Sequence, residues 1–304
     1  MIVKDKSPLL STLVNQGWIF SESQMVSLGD WTESDADWNY RDIPHLQFVH
    51  SQVQGALGFA TDNLSSSLFV QKVGPFRVVL TVALISTESN SQIYFTSVGP
   101  IVLIIETDWK RLDTGQTRVT TSYSVGTPRI LRLSHWIVHK VLGRNYRILM
   151  SEDIPMRNQR AKLRSQGFSF RQDSEGHSYA DSLKTAKNNV VFPSQDSALV
   201  KVPLVEITDI PSTFICHTTS REILIWKKEN QCFVAPTFCP HEGAALAAGK
   251  CVEEGIQCPW HGRIVRPISV YSLDTQEVLS QDKSWINQIS INDGHLIVSM
   301  SSTT

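Results

Sequence analysis

The clearest signal in the sequence lies in two short loops, CPHEGAALAAGK at residues 239–250 and CPWHGRIV at residues 258–265. Each loop begins with Cys-Pro and places a histidine two or three residues after its cysteine. Each can therefore supply one thiolate and one imidazole. Together they can hold a pair of metal ions, with two sulfur ligands on one ion and two nitrogen ligands on the other.

This is the ligand set of a Rieske [2Fe–2S] centre, in which two imidazoles replace two thiolates. A tetrahedral zinc site could use the same side chains, but zinc modules commonly pair Cys with Cys and His with His, whereas each loop here mixes the two. The loops resemble the cluster-binding loops of Rieske proteins, written CPH-x-GA and CP-x-HG, and the resemblance covers about 199–300. It implies a cluster bound by Cys239, His241, Cys258 and His261.

Length and composition set the wider limits. At roughly 100–200 residues per domain, 304 residues predict two compact units. A net charge of -1 with 19% charged residues disfavours nucleic acid as a partner. The longest apolar runs, 78–85 and 101–105, fall far short of a membrane span of roughly 20 residues. No signal peptide is visible, so a cytoplasmic location is expected, where cysteines stay reduced or bind metal.

The first half of the chain predicts an antiparallel sheet covered by a long helix. Asp113-Thr114-Gly115 is typical of a hairpin turn. After Pro128 the apolar residues change to helical spacing. The predicted strand runs are 76–86, 91–106 and 118–125, and the predicted helices are 128–149 and 153–165.

A second metal motif stands in RDIPHLQFVH, where Asp42, His45 and His50 have the spacing D-x2-H-x4-H. It resembles the mononuclear iron motif of Rieske non-haem iron oxygenases, the family of the aromatic ring-hydroxylating dioxygenase α-subunits. The resemblance implies that His45 and His50 bind Fe(II) and that Asp42 links the two metal centres. Two imidazoles and one carboxylate leave coordination positions open for O₂ and substrate.

The resemblance places the third iron ligand where an acidic residue opens a later helix. Asp153 is the predicted ligand, and Glu152 beside it is the fallback. Residues five apart point in different directions on a regular helix, so His45 and His50 could instead be two interior histidines. His135 and His139 are rivals because their i, i+4 spacing places them on one helix face, but they lack the glutamate of an HExxH motif.

The same resemblance implies an α+β fold. Residues 1–171 would form a helix-grip, START-like catalytic domain with an antiparallel sheet and a long helix, residues 172–198 a linker, and residues 199–304 an all-β Rieske domain. This order reverses that of the family, whose α-subunits place the Rieske domain first. In the family electrons cross between subunits, so a homo-oligomer, specifically a trimer, is expected.

The leading functional hypothesis is an oxygenase that uses O₂ and external electrons to hydroxylate or otherwise oxidise a hydrophobic or aromatic small molecule. The apolar runs 76–86 and 91–106 would line its cavity. Because no nucleotide-binding or flavin motif is visible, a separate NAD(P)H reductase, with or without a ferredoxin, would supply the electrons. The alternative is a Rieske electron carrier fused to a START-like ligand-binding domain without mononuclear iron.

Overall fold

A computed structural model of the chain describes residues 7–61, 64–88, 90–173, 188–191, 199–203, 213–217, 222–282 and 286–300. The chain divides into two compact units. Unit 1 comprises Met1–Ala161 with Gln172–Lys187, and unit 2 comprises Lys162–Arg171 with Asn188–Thr304. Most of the predicted linker, at 174–187 and 192–198, lies outside the described residues.

Unit 1 contains a seven-stranded antiparallel sheet. The first strand pairs with the last, and the others follow as hairpins in the order β1-β7-β6-β5-β4-β3-β2. The predicted turn at 113–115 joins β6 to β7, and the predicted run 91–106 is split into β5 and β6 by a turn in which Gly99 has a φ of 53°. The strands are β1 Trp18–Gly29, β2 Val53–Ala60, β3 Leu64–Val73, β4 Phe76–Glu88, β5 Ser91–Val98, β6 Ile101–Arg111 and β7 Thr117–Pro128.

The helices of unit 1 are α1 Ser7–Asn15, α2 Glu33–Arg41, α3 Leu46–Val49 and α4 Arg132–Ser165, with 3₁₀ turns at Ile43–His45 and Arg129–Leu131. Side chains of α4, among them Tyr146, pack on Tyr123 and Val125 of β7. A sheet with a long helix packed against it is the predicted helix-grip architecture, and the structure confirms it.

The prediction of two helices at 128–149 and 153–165 is wrong, because α4 continues through both ranges. Pro155 lies inside it and is exposed, and a proline there removes one backbone hydrogen bond. The buried face nevertheless continues past the proline with helical spacing. Tyr146, Asp153, Arg157 and Arg160 are all buried on that face.

Apart from the last turn of α4 and short 3₁₀ turns, the regular structure in the described residues of unit 2 is all β-strand, and its strands form the predicted all-β domain. Its sheets have the orders β10-β20-β19, β11-β12-β13-β17-β18, β14-β15-β16 and β8-β9. The strands are β8 Ser169–Phe170, β9 Val190–Val191, β10 Leu199–Pro203, β11 Thr213–His217, β12 Glu222–Lys228, β13 Gln231–Pro236, β14 Lys250–Val252, β15 Gly255–Gln257, β16 Ile264–Val265, β17 Ser269–Ser272, β18 Val278–Gln281, β19 Ile286–Asn292 and β20 His295–Met300.

In the part of the chain that the structure describes, no helix combines the length and the apolar character that a membrane span requires.

Candidate metal centres and ligand cavity

Two histidines and one aspartate meet at a buried point in unit 1. His45 Nε2 lies 3.1 Å from His50 Nε2, and Asp153 Oδ1 lies 3.4 Å from each of these nitrogens. All three side chains are buried, and one ligand atom from each lies within 4.8 Å of the others. Two imidazoles with one carboxylate form a donor set typical of non-haem Fe(II) sites with open coordination positions.

A change of backbone conformation brings the two histidines together. His45 ends the 3₁₀ turn that starts at Ile43, and α3 follows for a single turn. His50 then leaves the helix with an extended backbone, φ -85° and ψ 114°. On a regular α-helix residues five apart would point roughly 140° away from each other. The switch from 3₁₀ to α-helix to extended chain removes that divergence.

The neighbouring acids at the start of the predicted second helix have different surroundings. Asp153 faces the two histidines and accepts a hydrogen bond from Asn39 Nδ2 at 3.4 Å. Glu152 instead accepts from His50 Nδ1 at 3.2 Å and from the Ser51 hydroxyl at 2.6 Å. Consecutive helical residues point about 100° apart, so only one of the two can reach the point where the histidines meet.

Asp42 lies beside the Nδ1 edge of the His45 ring. Its Oδ2 is 3.7 Å from His45 Nδ1, and this buried nitrogen has no hydrogen-bond partner among the described residues. His50 Nδ1 faces Glu152 in the same way at 3.2 Å. Each imidazole therefore directs Nδ1 at a carboxylate and Nε2 at the shared point. This arrangement favours the tautomer whose Nε2 is free to bind a metal, so the side chains fit a mononuclear metal ion.

The pKa of each of the three groups is shifted by its neighbours. Burial lowers the pKa of His45, but the Asp153 and Asp42 carboxylates outweigh burial and raise the pKa to about 9. For His50 burial prevails over the attraction of Asp153, and its pKa lies below the usual value. Burial would raise the pKa of Asp153, yet the nearby His50, His45 and Arg157 hold that pKa below its usual value.

A cavity of about 420 Å³ opens beside these residues in unit 1. Its wall is mainly apolar and includes His45, His50 and Asp153. The predicted strand runs contribute Val78, Leu80, Val82 and Leu84 from β4 and Ile101, Leu103 and Ile105 from β6. The volume falls within the roughly 300–1,000 Å³ of small-molecule sites.

The two loops of unit 2 share one backbone pattern. In each, the cysteine N–H donates to the carbonyl five residues later, and the cysteine carbonyl accepts from a glycine four residues later. Both glycines have positive φ, which a residue with a Cβ rarely adopts. The pairs are Cys239 with Ala244 and Gly243 (2.7 and 2.9 Å) and Cys258 with Arg263 and Gly262 (2.7 and 2.9 Å).

The four predicted cluster ligands lie on these loops. His241 Nδ1 and His261 Nδ1 are 3.1 Å apart, and both cysteines are buried. Hydrogen bonds from Cys239 and His261 together lower the pKa of Cys258 to about 5 against the effect of burial. The pKa of Cys239 is raised by the same thiol pairing and by burial. One thiol is thus poised to ionise, as metal ligation requires.

The rival histidines of α4 have structural contacts. His135 Nε2 lies 2.8 Å from Ser21 Oγ, and its Nδ1 lies 2.8 Å from Thr127 Oγ1. His139 Nε2 lies 3.1 Å from Ser23 Oγ. These bonds tie the helix to β1 and β7. His177 lies outside the described residues.

Sequence reasoning did not foresee Asn39 or the contact between Glu152 and His50. The only local signal was the Glu152-Asp153 pair. Two neighbouring acids on a helix point in different directions, so only one of them can be the ligand and the other must have a different contact. Nothing in the spacing of Asn39 distinguishes it from an ordinary helical residue.

Comparison with known proteins supports the assignment of unit 2. Residues 201–265 match the domain family described as Rieske [2Fe-2S] domain. No curated protein matches the chain. Among solved structures, the ZhuI aromatase/cyclase from Streptomyces sp. R1128 is 8% identical, with 47% of this chain and 96% of that chain covered and a TM-score of 0.42. A START superfamily protein from Mycobacterium smegmatis is 10% identical, with coverages of 45% and 97% and a TM-score of 0.39. The chain therefore joins a helix-grip unit to a Rieske [2Fe–2S] domain.

Proposed function

We propose that the protein is a Rieske-type oxygenase that uses O₂ and externally supplied electrons to oxidise a hydrophobic or aromatic small molecule. One observation carries the proposal: His45, His50 and Asp153 converge on the wall of an apolar cavity in a chain that also contains a Rieske domain. A Rieske domain alone is compatible with oxidoreductase activity of several kinds. The converging ligands favour oxygenation.

In this proposal His45 and His50 bind Fe(II) through Nε2, and Asp153 binds through its carboxylate. Bound iron would supply O₂ activation at coordination positions left open by these three ligands. Asp42 and Glu152 hold the two imidazole rings in the required tautomer and orientation. Asn39 donates to Asp153 Oδ1 and limits the rotation of that carboxylate. The apolar wall excludes water from the reacting face of the substrate.

In unit 2, Cys239, His241, Cys258 and His261 would hold the [2Fe–2S] cluster. The cluster would supply electrons one at a time, received from a separate NAD(P)H reductase with or without a ferredoxin. The repeated hydrogen-bond pattern holds both loops in the same backbone conformation. By its resemblance to the oxygenases, the protein is expected to form a homo-oligomer, a trimer, in the cytoplasm.

A second candidate function is a Rieske electron carrier with a START-like ligand-binding unit and no mononuclear iron. The 3.1 Å contact between His45 Nε2 and His50 Nε2 favours it, because two ring nitrogens at this distance can satisfy each other as donor and acceptor. An electron carrier of this kind would also use the cavity, but no metal would bind at His45.

The test compares His45→Ala with His139→Ala, a histidine of the same unit that contacts Ser23 instead of the site. Each protein is reduced with a surrogate ferredoxin and reductase and supplied with a panel of one- to four-ring aromatic hydrocarbons, and O₂ consumption is followed. We expect His45→Ala to abolish hydrocarbon-dependent O₂ consumption and to keep the Rieske EPR spectrum, while His139→Ala retains both. Full activity in His45→Ala would overturn the assignment of the site.

A further inference from the structure

The strand β3 has an inverted distribution of polar and apolar side chains. Ser65, Ser67 and Gln71 point into unit 1 and are only 4%, 7% and 7% exposed. Leu64 and Leu68 point outward and are 41% and 44% exposed. Sheets with one covered face normally place apolar side chains on that face, and a shift of one residue would restore this order. The inversion therefore calls for a chemical reason.

The inward side chains of β3 line the cavity. Ser65, Ser67 and Gln71 belong to its wall, together with Phe69 between them. None of the three polar side chains has a hydrogen-bond partner within the part of the chain that the structure describes. Their polar atoms are not among the fully buried atoms that lack a partner, so they face the open space of the cavity, where a bound molecule can supply the missing hydrogen bonds.

The neighbouring strands place no polar side chain opposite these three positions of β3. On β4, the residues opposite the three polar positions are Leu84, Val82 and Val78. On β2, the residues opposite are Ala60, Gly58 and Val53. The polar positions thus form an isolated stripe between two apolar strands, and we call Ser65, Ser67 and Gln71 the β3 stripe.

We infer that the β3 stripe binds oxygen atoms of the ligand, and that the natural ligand is a largely apolar molecule carrying at least one hydroxyl or carbonyl group along one edge. The inference rests on the proposed function only in taking this cavity as the substrate site. Serine hydroxyls and a glutamine amide can each donate and accept, which suits both oxygen types. Apart from Asp42 and the candidate metal ligands, the described wall of the cavity contains no charged side chain, so a neutral oxygen fits the stripe better than a carboxylate or phosphate.

The stripe gives the ligand one preferred orientation. An apolar cavity alone holds a flat hydrocarbon in several orientations of similar energy, because dispersion and burial are not directional. Hydrogen bonds along one edge select among them. The β3 stripe therefore acts as a specificity determinant that decides which carbon of the substrate faces His45, His50 and Asp153.

The test uses two matched pairs of fluorescent probes, 2-naphthol with 2-methylnaphthalene and 1-hydroxypyrene with 1-methylpyrene. Each pair exchanges a hydroxyl for a methyl group of similar size. We expect the double variant Ser65→Ala/Ser67→Ala to bind the hydroxylated probes about tenfold more weakly, as expected from the loss of one or two hydrogen bonds. Its affinity for the methylated probes should stay the same or rise.

Ser66→Ala is the matched control, because Ser66 lies between the two serines and opposite Ala83 and Phe59, on the other face of β3. It should alter neither affinity. Parallel losses for both members of a pair, an equal effect of Ser66→Ala, or a wild-type protein that binds no hydroxylated probe would each overturn the inference. The same titration on His45→Ala separates the two proposals: retained discrimination in a variant without metal supports the stripe even if the oxygenase assignment fails.

Discussion

At the residue scale, a further polar side chain lies beside each candidate iron ligand. Asp42 lies next to Nδ1 of His45, Glu152 accepts from Nδ1 of His50, and Asn39 donates to Asp153. Metal sites depend on such outer contacts because they fix the tautomer and orientation of the ligands. Glu152 accepts from His50 Nδ1, whereas the proposed metal ion would bind at His50 Nε2. The contribution of Glu152 to metal binding can therefore be tested without removing a ligand.

Glu152→Gln should weaken metal binding while leaving all three ligands in place. The amide keeps the size of the side chain but replaces the carboxylate that accepts from His50 Nδ1. We expect the dissociation constant for Co(II), used as an air-stable substitute for Fe(II), to rise by about 10- to 100-fold. Glu277→Gln, an exposed substitution in unit 2, is the control. If both variants bind Co(II) like the wild type, Glu152 has no role in the site.

Metal affinity should also depend on pH. His45 has a pKa of about 9 without metal, whereas the pKa of His50 lies below its usual value and Asp153 is already anionic. From about pH 7 to about pH 9, a metal ion must therefore displace one proton, from His45. Over this range the affinity should rise about tenfold per pH unit, and above about pH 9 it should level off. Co(II) titration in weakly buffered solution would show release of one proton per metal at pH 7, and a pH-independent affinity would contradict this assignment.

At the element scale, α4 positions both the cavity wall and Asp153. Its buried face is fixed by Arg160, whose Nε donates to Asp35 Oδ1 at 2.7 Å. Both side chains are completely buried, and the guanidinium carbon lies 4.1 Å from the ring centroid of Trp38 on α2. Helix α2 leads directly to Asp42 and His45. The ion pair therefore joins α4, which carries Asp153, to the helix that directly precedes the segment with His45 and His50.

Arg160→Ala should destabilise unit 1 strongly, because it leaves the buried Asp35 carboxylate without its partner. Breaking a buried ion pair typically costs about 3–5 kcal/mol of unfolding free energy. Arg144→Ala, an exposed substitution on the same helix, should change it by less than about 0.5 kcal/mol. Urea denaturation followed by tryptophan fluorescence measures both. A loss below about 1 kcal/mol in Arg160→Ala would show that the pair does not anchor α4.

The sequence predicts these elements unevenly, for physical reasons. Apolar spacing and the turn at Asp113 are local signals, and they predict the sheet, the long helix and the all-β second unit. The convergence of His45 and His50 depends on a local change from 3₁₀ to α-helix, which spacing alone does not reveal. The role of Ser65 and Ser67 was not predicted because strand patterns are recognised by an apolar buried face, and here the buried face is polar.

At the scale of the whole molecule, the chain combines a ligand cavity with a Rieske domain in the reverse of the order usual for the oxygenases it resembles. Chain order does not by itself prevent electron transfer, which depends on the distance between the centres. In the proposed oxygenase, unit 1 binds an iron of its own. An electron carrier with the same fold would share the cluster, the cavity and the loops, and it would differ only at His45, His50 and Asp153.

Iron content per chain tests that claim most directly. The protein is reconstituted anaerobically with Fe(II) and sulfide and desalted, and its iron is compared with that of the double variant His45→Ala/His50→Ala, with the Rieske EPR signal as an internal standard for the cluster. We predict three irons per wild-type chain, two in the cluster and one in unit 1, and two irons in the variant with an undiminished signal. Two irons per chain in both proteins would show that unit 1 binds no iron and would favour the electron carrier.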